Sequence, residues 1–146
     1  MEKTFKSIDK IDYDNILGDE VVVFGSRIDG KHGQLLRPDI TKLGAIPGNP
    51  RGLQGKTYSI PIYCSRGIVL SLPEVKAGIR DFLEYAKDNR FDTTFLVERI
   101  ACGPREHHYQ AVAPLFADVL KYNLNHVVLP TEFLTYLQNH FRENAA

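Results

Sequence analysis

With 146 residues, 43% of them hydrophobic and 25% charged, the chain is expected to form one domain, 1–146, that buries about two-thirds of its unfolded surface. Eighteen basic side chains balance eighteen acidic ones, so bulk charge points away from duplex nucleic acid and from a membrane surface. No apolar run approaches the ~20 residues of a transmembrane helix, residues 1–10 are too polar for a signal peptide, and Cys64 and Cys102 form no metal-type pair; a cytoplasmic protein with reduced thiols is expected.

Residues 1–18, polar with scattered apolar side chains such as Ile8 and Ile11, are expected as an N-terminal arm or a short strand. Glu20–Phe24 is nearly all apolar, the pattern of a strand buried on both faces of a mainly parallel sheet, and Gly25-Ser26 ends it. Lys31–Leu43 predicts a short, irregular helix with Leu35, Leu36, Ile40 and Leu43 on one face; Pro38 confines its regular part to the residues beyond it. Thr57–Tyr63 predicts a strand in which Pro61, lacking a ladder donor, belongs at an end or an edge.

Ser71 and Glu74 form a capping box with Pro73 in the first turn. They open a helix over Leu72–Asn89 whose apolar stripe is Val75, Ile79, Phe82, Leu83 and Ala86. Thr93–Ile100 predicts a strand, residues 101–108 a loop, Tyr109–Lys121 a second amphipathic helix and His126–Leu129 a short buried strand. Thr131 is expected to cap a last helix carrying Phe133, Leu134, Leu137 and Phe141. Strands alternating with helices predict an α/β sandwich, whose ligands lie beyond the carboxyl ends of the strands.

Seven of the eleven glycines (Gly25, Gly30, Gly33, Gly44, Gly48, Gly52 and Gly55) lie between Val21 and Tyr63. Glycine loops can curl around a ligand and present bare N–H groups to it, so a phosphate- or nucleotide-sized pocket is expected. Two strand ends, Phe24-Gly25-Ser26 and Ile100 to Gly103, should meet in one crevice, with Gly52, Leu53, Gln54 and Gly55 folded over the same side. The competing reading of these glycines is ordinary tight turns. Arg27, Lys31, His32, Arg37, Arg51 and Lys56 surround the loops and suit an anionic ligand, because arginine matches phosphate oxygens with two parallel bonds. Cys102, Gly103, Arg105 and His107 join the candidate set at the second strand end, with Cys102 expected to be an inert thiol. No metal is expected at His107 and His108, since adjacent histidines point to different faces. No cofactor is expected, and no catalytic set is recognisable.

Val23 to Ser26 followed by Gly30 to Gly33, then Lys42 to Ala45, Gly52 to Pro61, Arg99 to Gly103 and Ala113 to Phe116, resemble a family of macrodomain-like proteins common in phages. The resemblance spans about Val21 to Phe133 and implies a three-layer α/β/α macrodomain-like sandwich with a mixed, mainly parallel sheet. It also implies a cleft at the strand ends that in macrodomains accepts ADP-ribose. The family usually has Asn where Arg27 stands, a small-residue run where this chain has Gln34 to Arg37, and a small glycine-containing loop where it has Pro104 to His108. In members that hydrolyse ADP-ribose conjugates that asparagine positions the distal ribose, so Arg27 in its place favours a binder over a hydrolase.

The expected function is to hold an ADP-ribose-like, NAD-derived nucleotide, linear or cyclic, and in a virus to sequester a host immune signal of that kind. One alternative is an ADP-ribosyl hydrolase or nucleotide phosphoesterase drawing acid–base groups from Asp29, Glu106, His107 or His108. Another is a protein-interaction module without ligand. Phe133, Tyr136 and Phe141 leave room for a homo-oligomer.

Overall fold

The computed structural model of the chain describes residues 5–30 and 37–141. Its elements are β1 (Ser7–Ile8), β2 (Glu20–Arg27), α1 (Pro38–Thr41), β3 (Gly52–Gln54), β4 (Thr57–Tyr63), α2 (Leu72–Asp88), β5 (Thr94–Val97), α3 (Tyr109–Val112), a 3-10 turn (Ala113–Phe116), α4 (Asp118–Lys121), β6 (Val127–Pro130) and α5 (Thr131–Phe141). Among the described residues six strands form one sheet in the order β1-β6-β5-β2-β4-β3, parallel except for the β3–β4 pair. The α/β class and the mixed, mainly parallel sheet are as expected.

The sheet is assembled around β2, where Val22 pairs with Leu96 of β5 on one side and Thr57 of β4 on the other. Its side chains alternate between two cores, as a strand buried on both faces requires. Val21 and Val23 pack with Phe82, Phe95, Phe116 and Phe133 under the long helices and the 109–121 segment. Each of these fully buried rings contributes about 1.5–3 kcal/mol. On the opposite face Val22 meets Leu96, Val128 and Ile11, and Phe24 meets Ile40 and Ala45. Among the described residues that face is covered by the N-terminal arm, α1 and the loop that follows it. The arm is anchored as well as laid over: β1 pairs with β6, and Lys56 Nζ donates to the Leu17 carbonyl at 3.1 Å.

Several boundaries move for physical reasons. Strand β2 runs on to Arg27, so Gly25 lies inside it; a Cβ there would stand 2.9 Å from Ile62 Cγ1. Pro61 is buried within β4, but β3 has already ended opposite Ser59, so no partner on that side needs its missing N–H. The helix expected over Tyr109–Lys121 breaks into α3, the 3-10 turn and α4, because Pro114 cannot donate to the preceding turn. Thr131 is the first residue of α5 rather than its cap, and its hydroxyl donates to Ser7 Oγ at 3.0 Å. Of the helix expected over Lys31–Leu43 only α1 is seen; Leu35 and Leu36 lie outside the described residues. Phe133 is fully buried in the core and is not available to a second copy.

Candidate functional site

β5 leads outward to β6 and β2 leads outward to β4, so the strand order reverses between β5 and β2. Ligands of open α/β sheets sit beyond the carboxyl ends at such a reversal. Three chain segments converge there: Arg27 at the end of β2, Glu98 just after β5, and Tyr63 at the end of β4.

Glu98 is gripped by Arg37, with Nη1 to Oε1 at 3.1 Å and Nη2 to Oε2 at 2.5 Å, and the Tyr13 hydroxyl also donates to Oε2. The same guanidinium bonds Asp39 at 3.0 and 3.2 Å and lies over the Phe24 ring. Burial works against the charge on Arg37, but the bonds to Glu98 and Asp39 outweigh it, and its hold on its proton is raised. Burial, then the Glu98 charge, raises the Tyr13 hydroxyl above the ordinary tyrosine range.

The second shoulder is the loop after β5. Ala101 and Arg105 hold left-handed backbone, φ 60° and 63°, a conformation that costs a non-glycine residue roughly 1–2 kcal/mol. Such strain is kept where the surroundings over-determine it. Here Arg99 Nη1 donates to the Cys102 carbonyl at 2.9 Å, Gly103 N–H to Glu106 Oε1 at 3.0 Å, and His107 N–H to the Ala101 carbonyl at 3.0 Å. His107 Nε2 lies 2.7 Å from the Leu70 carbonyl, which makes it the protonated nitrogen. The Tyr63 hydroxyl donates to Glu106 Oε1 at 3.3 Å; burial first, then the Glu106 charge, push it up to about 12. Burial pushes the Cys102 thiol up to about 11, which fits the expected inert thiol.

Beside the reversal, an open cleft of about 610 Å³ follows the carboxyl ends of β1, β6 and β5. Its apolar floor includes Val97 and Pro130, and its rim Lys10, Arg99 and Glu132. The volume is that of a small-molecule site.

The sequence-predicted residues divide sharply. Arg27, Gly103 and His107 come to the crevice, with Arg105 exposed on the same loop, while Cys102 is buried in the core beneath it. Arg27 is not a loose cation, since Nη2 donates to Asp29 Oδ2 at 2.8 Å and to the Ser65 carbonyl. Phe24 and Ser26 point into the arm-side core, where Ser26 Oγ donates to the Pro50 carbonyl at 2.6 Å. The Gly52–Gly55 run is not folded over the crevice. Gly52, Leu53 and Gln54 form the edge strand, and Gly55 turns the hairpin into β4 at the opposite, amino end of the sheet. Arg51 is exposed beside that edge. Gln54 is buried and its amide is spent on Ile46 N–H at 2.6 Å, the Asn49 carbonyl at 3.1 Å and Ser59 Oγ at 3.0 Å. His32 and Gly33 lie outside the described residues.

The glycines find a different use. Gly55 packs on Gly44, and Gly30 on Gly48, so closely that an added Cβ would meet backbone at 2.8 and 2.3 Å respectively. They let loops lie against one another, backbone to backbone. Missed in the sequence were Tyr13, Glu98 and Arg99. The signal was available for two of them, since Glu98 and Arg99 directly follow the apolar run of β5, where a strand delivers its residues to the carboxyl edge.

Among the described residues no three His, Cys, Asp or Glu side chains are grouped to hold a metal ion, and no helix is long and apolar enough to cross a membrane. Compared with known proteins, the chain matches no family model, no curated protein and no solved structure, so its site is read from its own geometry.

Proposed function

We propose that the chain is a macrodomain-like protein that binds an ADP-ribose-like, NAD-derived nucleotide, linear or cyclic, in the crevice at the carboxyl ends of β5, β2 and β4. The supporting observation is the convergence of Arg27, Glu98 and the 101–108 loop where the order of parallel strands reverses, beside a cleft of about 610 Å³. Two of the stretches that resemble macrodomains, Val23 to Ser26 and Arg99 to Gly103, lie at these strand ends, and a second layer that includes α1 would complete a three-layer sandwich.

Binding is favoured over turnover because both histidines that could do acid–base work are held in hydrogen bonds to backbone groups. His107 is bonded to the Leu70 carbonyl, and His108 Nδ1 accepts the Gln110 N–H at 3.2 Å. Glu106 Oε1 holds Gly103 and Tyr63. Sequestering a signalling nucleotide in the cytoplasm of an infected host needs affinity and burial but no general base.

The test is to release whatever the purified protein carries by heating it, identify it by mass spectrometry, and titrate the emptied protein with ADP-ribose by calorimetry. An intact nucleotide, or a saturable ADP-ribose isotherm without product, is expected. Neither ligand nor heat of binding would sink the nucleotide reading, and steady product formation would replace it with a hydrolase.

A further inference from the structure

We propose that Tyr13 is a gate: release of its hydroxyl from Glu98 lets the turn Asp12–Asn15 swing out and joins two cavities into one continuous site. The effect on affinity rests on the nucleotide reading; the motion itself does not. Besides the cleft of about 610 Å³, a second cavity of about 560 Å³ lies between the N-terminal arm and α1, reaching Asp12, Asp39 and Lys42. Lys10, Ile11 and Tyr13 line both, so the arm is the partition between them.

The partition has a fixed part and a movable one. Ile11 is buried against Val22, Leu96 and Val128, and Ile16 packs on the same group. Between these two anchors Asp12–Asn15 lies outside any helix or strand, with Asp12, Asp14 and Asn15 exposed. The hydrogen bonds of the turn are internal. The Asp12 carboxylate accepts the Asp14 N–H at 3.1 Å and the Asn15 side-chain amide at 2.7 Å, and its carbonyl accepts the Asn15 N–H at 3.2 Å. The turn can therefore move as one piece. Among the described residues two side-chain bonds tie it to the rest, Asp14 to Lys42 and Tyr13 to Glu98. The first pair is exposed and holds weakly. Tyr13, half-buried against two arm-side core groups, is the latch.

The latch opens at low cost. Glu98 keeps both prongs of Arg37 when Tyr13 leaves, so no buried charge is stranded. The released hydroxyl finds its partners in water. A ligand extended from one cavity into the other has to displace the Tyr13 side chain, and so binds the open form alone. Its apparent affinity is then reduced by the closed fraction, and any change that loosens the latch should tighten binding.

Tyr13→Phe removes the latch and keeps the ring, and the loss of one donor should raise the open fraction about 5-fold. In ligand-free protein, NMR relaxation dispersion at the amides of residues 11–16 should show exchange between two states, the minor one more populated in the variant. Calorimetry should then find ADP-ribose bound about 5-fold more tightly by Tyr13→Phe, although the variant unfolds at lower urea. A side chain that only supports the fold would not improve binding when removed. Equal or weaker ADP-ribose binding by the variant overturns the gate and leaves nucleotide binding standing. Absence of exchange at residues 11–16 in both proteins overturns it too. If neither protein binds ADP-ribose, the nucleotide reading falls, and the dispersion data alone decide whether the turn opens.

Discussion

Arg37 and Glu98 face each other as a two-pronged ion pair, at 3.1 and 2.5 Å, with side chains only 29% and 15% exposed. One partner precedes α1 on the arm-side face and the other follows β5, so the pair ties that layer to the sheet at the reversal point. The Tyr13 hydroxyl adds the arm to the same carboxylate.

Glu98→Gln should therefore lower stability. The amide accepts one prong of Arg37 and presents its NH2 to the other, and a bond to a charged group is worth about 1.5–3 kcal/mol. Tyr13→Phe should cost about 1 kcal/mol by losing a donor to the same carboxylate. The two changes share a partner, so the double variant should depart from additivity by more than about 0.5 kcal/mol. Urea midpoints with unchanged slopes are the measurement. Strict additivity would mean that the arm and the ion pair act independently.

Gly55 gives a prediction of a different kind. Its φ is +60°, and an added Cβ would lie 2.8 Å from the Leu43 carbonyl oxygen. Gly55→Val should lose about 1–2 kcal/mol to left-handed backbone alone, and more to the clash. The loss should appear in thermal or urea unfolding without any ligand present. A variant as stable as wild type, but unable to bind nucleotide, would return Gly55 to the binding site.

That residue also marks the limit of what the sequence discloses. Local signals worked where one element decides the outcome. Ser71 N–H and hydroxyl both donate to Glu74 Oε1, at 3.3 and 2.8 Å, and α2 buries the stripe its spacing predicts. The run Val21–Phe24 is a central strand because alternate residues serve two cores. The glycines failed as a guide because close backbone packing and ligand contact ask for the same missing Cβ. Only the strand order puts the Gly55 hairpin at the amino end, and strand order is a long-range property. Arg37 and Glu98 are 61 positions apart, so no spacing rule pairs them.

His126 supplies a pH dependence. It is buried between α2 and β5, with Nε2 2.7 Å from the Ala86 carbonyl and the ring against Phe95. Burial, with a smaller push from the Arg90 charge, lowers its proton affinity below the ordinary 6.5, and the bond to Ala86 opposes this. The unfolded chain then binds the proton more readily than the folded one. Stability should fall as pH drops below about 6.5 and level off once the folded-state value is passed. His126→Gln keeps an N–H donor and should flatten that slope. The check is unfolding free energy across a pH range of about 5 to 8 for both proteins, and parallel curves would clear His126.

Arg27 is where this chain leaves the pattern it resembles, and its geometry sharpens the test. Nη2 is spent on Asp29 and on the Ser65 carbonyl, which joins the end of β2 to the loop after β4. Nε is buried and has no hydrogen-bond partner among the described residues. A buried donor left in that state is costly, by about 1–3 kcal/mol, and a ligand oxygen that reached it would recover that cost. Arg27→Ala should weaken ADP-ribose by about 10- to 150-fold, the worth of one charge-assisted bond. Arg27→Lys should restore only part of this, since an ammonium can keep the Asp29 pair but has no fork to hold Ser65 as well. Arg27→Asn should weaken binding and create no turnover. Calorimetry alone would confuse a lost contact with a loosened loop, so thermal unfolding of each ligand-free variant belongs beside it. If Arg27→Ala binds ADP-ribose as tightly as wild type and only melts earlier, Arg27 is a brace between two strand ends and touches no ligand.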